Sequence, residues 1–171
     1  MSKYLVVLFF LICATHAYSQ AKENKNESLT WLTDIEQAYS LSNSTKKPIF
    51  AFFTGSDWCG WCHKLQREVF VKPEFIEWAK NNVVLLELDF PRKKQLPDEL
   101  MQQNQSLQQF FGVRGYPTIW VFYITKDTNT KKFMISALGS LGYPAGATVG
   151  KEEVKFLQDA NKVIAQKVAG K

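Results

Sequence analysis

The chain has 171 residues, 46% of them hydrophobic, 14% aromatic and 22% charged. That length suits one domain with a buried core, and 13 Phe with 5 Trp carry far more apolar surface than a solvated, disordered chain. With 9 Gly and 6 Pro a collagen-like chain is excluded, and a net charge of +5 with no Lys/Arg run beyond three residues does not call for nucleic acid.

Lys3 precedes the apolar stretch Leu5–Ile12, and Ala17-Tyr18-Ser19 follows with small residues at alternate positions. A short positive region, an apolar segment and a small-x-small site predict a secretory signal peptide over residues 1–19, cleaved near Ser19. The protein is therefore expected to be exported, periplasmic or extracellular. The apolar run is shorter than the roughly 20 residues of a membrane span. Ile12 before Cys13 is too large for a lipid-attachment site.

Residues 20–30 are polar and read as a flexible leader, with the folded domain over 31–171. A helix is expected over Asp34–Asn43, capped by Asp34 or Thr33, and Ile49–Phe53 reads as a strand buried on both faces. Thr54–Asp57 breaks that strand, and a helix follows from near Cys59 to about Phe70. Lys72-Pro73-Glu74 opens another helix, with Phe75, Ile76, Trp78 and Ala79 apolar; Val83–Leu88 is a second buried strand. Pro91–Pro97 is a charged loop in which Arg92-Lys93-Lys94 reads as solvated. Asp98–Phe111 is helical with Leu100, Leu107, Phe110 and Phe111 apolar, and Gly112 stops it. Thr118–Ile124 turns through Lys126–Asn129 into a partner strand over Lys132–Leu138. The glycine-rich stretch Gly139–Gly150 reads as a long flexible loop, and Lys151–Val168 as a final helix with Val154, Leu157, Ile164 and Val168 on one face. Trp31 and Trp78 are core or edge residues. The order is that of an α/β fold with helices around a mixed sheet.

After export the chain keeps Cys59 and Cys62. Closing a four-residue loop restrains the unfolded chain by about 2 kcal/mol, against about 3 for fifteen residues. The pair is poorly placed as a staple and better placed for chemistry. Trp58-Cys59-Gly60-Trp61-Cys62 stands where a buried strand hands over to a helix, whose unpaired N–H groups and dipole favour a thiolate. Residues i and i+3 share a helix face, so Cys62 can attack a mixed disulfide formed on Cys59. Cys59, nearer the helix start and more exposed, is the candidate nucleophile, and Cys62 the resolving thiol.

Three segments resemble the thioredoxin superfamily: Ile49–Phe53, the Trp58–Cys62 motif, and Gly112-Val113-Arg114-Gly115-Tyr116-Pro117-Thr118. The stretch Phe53–Cys59 is most similar to exported thioredoxin-like proteins related to the C-terminal domain of membrane thiol:disulfide interchange proteins. The resemblance implies a thioredoxin fold, a central mixed β-sheet flanked by helices on both faces. It implies a thiol:disulfide oxidoreductase, reductase or isomerase, that acts on protein substrates and needs no cofactor or metal. It implies a redox-active Cys59–Cys62 disulfide, a cis-proline at Pro117 facing it, and substrate contacts from Tyr116 and Pro117. A membrane-embedded electron donor would recycle the protein. Trp61, between the cysteines, is expected to face solvent and offer substrate an apolar contact, while Trp58 is expected to pack. The family's buried acid maps onto Phe52 or Phe53, so water or Glu87 on the next strand is the candidate replacement. The loop Gly139–Gly150 is a candidate border of the active site, and Tyr143 and Pro144 read as loop packing with a partner contact as the alternative.

Two rival readings stand beside this one. Cys59-Gly60-Trp61-Cys62-His63 is also a c-type haem attachment pattern, with His63 as axial ligand and Met101 or Met134 as the second. It leaves Gly115-Tyr116-Pro117-Thr118 unexplained, and in the oxidoreductase reading His63 is an exposed helix residue. The other rival is a non-catalytic binding module with a structural disulfide.

Overall fold

The computed structural model describes residues 28–130 and 132–166; the signal peptide expected over 1–19, most of the leader, Cys13 and Val168 lie outside the described residues. Along the chain come α1 (Ile35–Thr45), β1 (Ile49–Thr54), α2 (Gly60–Leu65) continuing as a π-helical turn over Gln66–Phe70, α3 (Pro73–Asn82), β2 (Val84–Asp89), α4 (Asp98–Phe110), β3 (Thr118–Lys126), β4 (Phe133–Leu141) and α5 (Glu152–Ile164). No helix among the described residues is long and apolar enough to cross a membrane.

The sheet order is β2-β1-β3-β4, with β1 parallel to β2 and antiparallel to β3, and β3 antiparallel to β4. Its central strand explains its own composition. Phe50 and Phe52 point into one layer with Leu65, Phe75 and Phe156, beneath α2, α3 and α5. Ile49, Ala51 and Phe53 point into the other with Ala38 and Leu107, beneath α1 and α4. A strand covered on both faces reads as an unbroken apolar run, and each buried Phe contributes about 1.5–3 kcal/mol. Helices thus flank both faces of a mixed sheet.

The helix ends follow local chemistry. Asp34 caps α1, accepting from the N–H of Glu36 (2.7 Å) and Gln37 (3.0 Å). Pro73 opens α3, and Gly112 follows α4 with φ 62°. Leu29, placed with the leader by sequence, packs against the Phe50 layer. Leu32 bridges to Leu86 and lays the incoming chain along the outer edge of β2.

Several expectations need correction. β4 continues to Leu141 through residues expected to be loop. Its pairing slips at Val121/Phe122, and the extra residue, Leu138, is buried. Gly139 keeps the strand going because α5 packs there: a Cβ would lie 3.3 Å from Val163 Cγ1. Phe110 is 61% exposed and Val154 44%, so neither joins the core face expected of its helix; Phe156, Ala160 and Val163 form that of α5. After Leu65 the helix widens, Val71 N–H bonding Gln66 O (3.1 Å), which buries both Val69 and Phe70.

Candidate active site

β1 ends at Thr54, and the chain folds back so that Gly55 O accepts from the N–H of Trp58 (3.2 Å) and Cys59 (2.8 Å). This turn makes Cys59 the N-cap of α2, its carbonyl accepting from the N–H of Cys62 (3.0 Å) and His63 (3.1 Å). The Cys62 N–H also points at Cys59 Sγ, 3.2 Å away. The two Sγ atoms are bonded, with Cα atoms 5.3 Å apart. Cys59 is 5% exposed and Cys62 fully buried, the order expected from their places in the helix.

The turn is tied to the end of β2 as well as to its own neighbours. Ser56 donates to the Asp89 carboxylate through its N–H (2.8 Å) and hydroxyl (2.6 Å), and Lys94 Nζ lies 2.9 Å from the same group. Burial pushes Asp89 up, but these hydrogen bonds outweigh it and hold the carboxyl below its ordinary value. Asp57 accepts from the N–H of Arg92 (3.0 Å) and Lys93 (2.7 Å), and the Arg92 bond leads in lowering its pKa. Trp58 Nε1–H donates to Phe90 O (2.8 Å), and His63 Nε2–H to Ser56 O (2.8 Å). Arg92-Lys93-Lys94 is an exposed loop, as expected, and it is also anchored to the cysteine turn. The Arg92 guanidinium itself lies 3.7 Å over the Trp58 ring.

Trp58 packs, as expected, and connects the turn to the loop before β3. Its ring meets Tyr116 edge-on at 5.8 Å; Tyr116 stacks on Phe90 at 5.3 Å and accepts a hydrogen bond from Gln108 Nε2 at 2.6 Å. Burial raises the Tyr116 phenol. The Tyr116–Pro117 peptide bond is cis. Because Thr118 pairs with Phe53, Pro117 comes level with Thr54 at the same end of the sheet as the cysteine turn.

Trp61 is 57% exposed. Its ring stands 5.1 Å from Tyr143, which arrives from the segment after β4. Lys64 Nζ lies 5.0 Å from the Trp61 ring and 4.8 Å from the Tyr143 ring, and Tyr143 O–H donates to Glu68. The glycine-rich segment thus borders the site through Tyr143, and at Gly142 it passes close to Pro117 O. Glu87 pairs with Phe52 across the β1–β2 ladder and shares the sheet face of Leu85, which belongs to the cysteine layer. Burial raises its pKa, the Asp89 charge raises it further, and Lys94 pulls it back. Phe52 and Phe53 are both fully buried. The Thr54 hydroxyl, at the end of β1, is buried with no hydrogen-bond partner.

The haem reading finds little here. Met134 pairs with Thr125, seven residues along β3 from Thr118, which is about 23 Å at the usual rise per residue. Met101 stands on α4, at a cleft beyond Arg92. Among the described residues no three His, Cys, Asp or Glu side chains gather as a metal site.

The thioredoxin-like domain family matches residues 35–130. Disulfide bond reductase DsbH of Chlamydia pneumoniae is 40% identical over 92 residues, 54% of this chain and 55% of that protein. Thioredoxin-related protein DsbJ of the same organism is 28% identical over 132 residues, 77% of this chain and 36% of that one. The matched regions thus span about half, or less, of those relatives. Among solved structures, a DsbH oxidoreductase superposes with a TM-score of 0.68 at 25% identity, covering 92% of this chain and 99% of the other. A thioredoxin from Thermus thermophilus superposes with a TM-score of 0.55 at 16% identity, covering 81% and 89%, a likeness of fold alone. With the mixed sheet, the cysteine turn and the family match in agreement, this chain belongs to the thioredoxin-like family of the thioredoxin superfamily.

Proposed function

We propose that the protein is an exported thiol:disulfide oxidoreductase that reduces disulfides in polypeptide substrates. In the reduced protein the Cys59 thiolate attacks one sulfur of a substrate disulfide. That S–S bond breaks, a mixed disulfide forms on Cys59, and the displaced substrate sulfur leaves as a thiolate that takes up a proton. Cys62, having lost its proton, then attacks Cys59 Sγ. The Cys59–Cys62 bond forms, the second substrate thiol is released, and two electrons have passed from protein to substrate. A dithiol donor, membrane-embedded by family resemblance, returns them.

One observation carries the reading: Cys59 Sγ lies at the start of a helix with the Cys62 N–H directed at it from 3.2 Å. A hydrogen bond to the charged form favours the thiolate. The solvent-grazed position of Cys59 beside a buried Cys62 supports the division of roles. Trp61, Tyr116 and Pro117 are the proposed substrate contacts; Trp61 is exposed beside the pair, and Tyr116 closes on Trp58. The name of the 40%-identical relative supports the reductive direction.

The test is a Cys62→Ser variant, which should accumulate mixed disulfides with protein substrates through Cys59. An empty trap, with Cys59 unreactive to alkylation at neutral pH, favours the binding module. A visible absorption band on the purified protein would restore the haem reading. Mass measurement of the secreted product tests cleavage near Ser19.

A further inference from the structure

We infer that Arg92 is a specificity-determining residue: its guanidinium, held over the ring of Trp58, the residue before Cys59, receives a carboxylate from an acidic side chain flanking the substrate's disulfide. This rests on the oxidoreductase reading and names the substrate class it prefers.

The receptor is built rather than incidental. Trp58 is fixed by its Nε1 bond to Phe90 O (2.8 Å) and by Gly55, whose missing side chain lets the indole approach. The Arg92 backbone is fixed by the Asp57 carboxylate, which takes the N–H of Arg92 and of Lys93. The guanidinium carbon then rests 3.7 Å from the centre of the Trp58 ring, and no side-chain hydrogen bond among the described residues uses the N–H donors of its planar fork. Such a fork matches a carboxylate with two parallel hydrogen bonds.

Charge bookkeeping leaves this fork free. Arg92 makes no ion pair among the described residues, whereas its neighbour Lys94 is paired with Asp89 at 2.9 Å. Asp57, the nearest acid in sequence to Cys59, is committed to backbone N–H groups, and Asp89 to Ser56 and Lys94. Lys93, also exposed, is a second cation beside Arg92. Beyond Arg92 a cleft of about 420 Å³ opens, lined by Arg92, Lys94, Asp89, Asp98, Met101 and Asn104 among others. Asp89 is bound to Lys94 and Ser56, and Asp98 stands at the start of α4, so the cleft carries both signs and the carboxylate preference is assigned to Arg92 alone. The position is next to the chemistry, since Trp58 directly precedes Cys59 and touches Tyr116. A neutral peptide would gain nothing from the fork, and a basic one would be repelled.

The test uses two synthetic disulfide peptides that differ only in a Glu or a Gln beside the cysteine, and the second-order rate of their reduction by the reduced protein. The wild type should favour the Glu peptide about 5–10-fold at low salt, with the ratio shrinking as ionic strength rises. In Arg92→Gln the ratio should fall to near one, and Arg92→Lys should keep part of it, retaining charge without the fork. Equal wild-type rates on the two peptides overturn the proposal. So does a preference that survives in Arg92→Gln, because an Arg92 that merely props Trp58 would slow both peptides alike. Failure to reduce either peptide refutes the oxidoreductase reading instead, and is thereby distinguishable.

Discussion

Replacing Gly55 by Ala puts a methyl group where the Trp58 ring already is. An ideal Cβ at Gly55 would lie 2.4 Å from Trp58 Cε2, 2.5 Å from Nε1 and 2.8 Å from Cζ2. The backbone there is outside the left-handed region, so the indole is the whole obstacle. Forcing a methyl into a packed contact costs about 1–3 kcal/mol. A displaced indole also gives up its bond to Phe90 O, about 1 kcal/mol. Losing the Arg92 stack removes about 0.5–1 kcal/mol more. Since the indole can relieve part of the strain by moving, the expected cost is about 2–4 kcal/mol, read by urea denaturation. The decisive measurement is a double-mutant cycle. In a Trp58→Ala background the obstacle is gone, and Gly55→Ala should be neutral or stabilise by about 0.4–1 kcal/mol through the unfolded chain. An equal cost in both backgrounds would refute the reasoning.

Phe50→Ala should destabilise by about 3–5 kcal/mol, because the ring is fully buried among Trp31, Phe70, Phe75, Trp78 and Phe156, whereas Phe110→Ala at an exposed site should cost under about 1 kcal/mol by the same denaturation assay. Asp89→Asn should cost about 2 kcal/mol near neutrality, a figure held down by the solvent screening of Lys94. The folded pKa of Asp89 is depressed, so its stabilisation is full above the ordinary carboxylate value and disappears as pH falls through the folded one. The gap between wild type and variant should therefore close in acid, and a pH-independent gap would count against the charged hydrogen bonds. Tyr143→Phe removes the bond to Glu68 and should cost about 1 kcal/mol or less, while changing Trp61 fluorescence and raising KM for protein substrates more than it lowers kcat.

The parts of the fold legible in the sequence are those written in local pattern. Ile49–Phe53 advertises a doubly buried strand, Asp34 a cap and Gly112 a helix stop, and the two cysteines three apart are joined in a disulfide. Phe110 and Val154 sit at plausible helical spacing, yet no neighbouring element reaches them, which periodicity alone does not reveal. Gly139 looked like the start of a loop because a glycine relaxing the chain and a glycine admitting Val163 look alike in one dimension. Cys59, Trp61, Tyr116 and Pro117, singled out from the sequence as candidates, lie at or beside one end of the sheet in the structure, whereas nothing in the sequence singles out Arg92. The basic triplet is the exposed loop its composition predicts, and only the backbone N–H groups it donates to Asp57, some 35 residues earlier, reveal that this loop is also anchored. Glu68 and Lys64 escaped for a related reason: they matter through Tyr143, which folding brings from 75 residues away from Glu68.

These long-range ties bear on how the reactive sulfur is held. α2 spans six residues before the helix widens into its π-turn, and its start is set by a turn that has little regular structure of its own. The orientation of the Cys62 N–H toward Cys59 Sγ therefore depends on what immobilises Ser56, Asp57 and Trp58. All three are gripped by consecutive parts of one segment, Asp89, Phe90 and Arg92-Lys93, while His63 closes back onto Ser56 O. β2 and β1 run parallel and end together, Thr54 opposite Asp89, so the two connections leave the sheet side by side and can bond over their first few residues. Thiolate stabilisation follows from keeping an N–H dipole aimed at sulfur before the charge develops, and a preorganised dipole needs no further rearrangement as the charge appears. The segment after β2 accordingly holds the donor in aim as much as the cysteine motif does, and the proposed contact of Arg92 with substrate would add a second role to the same segment.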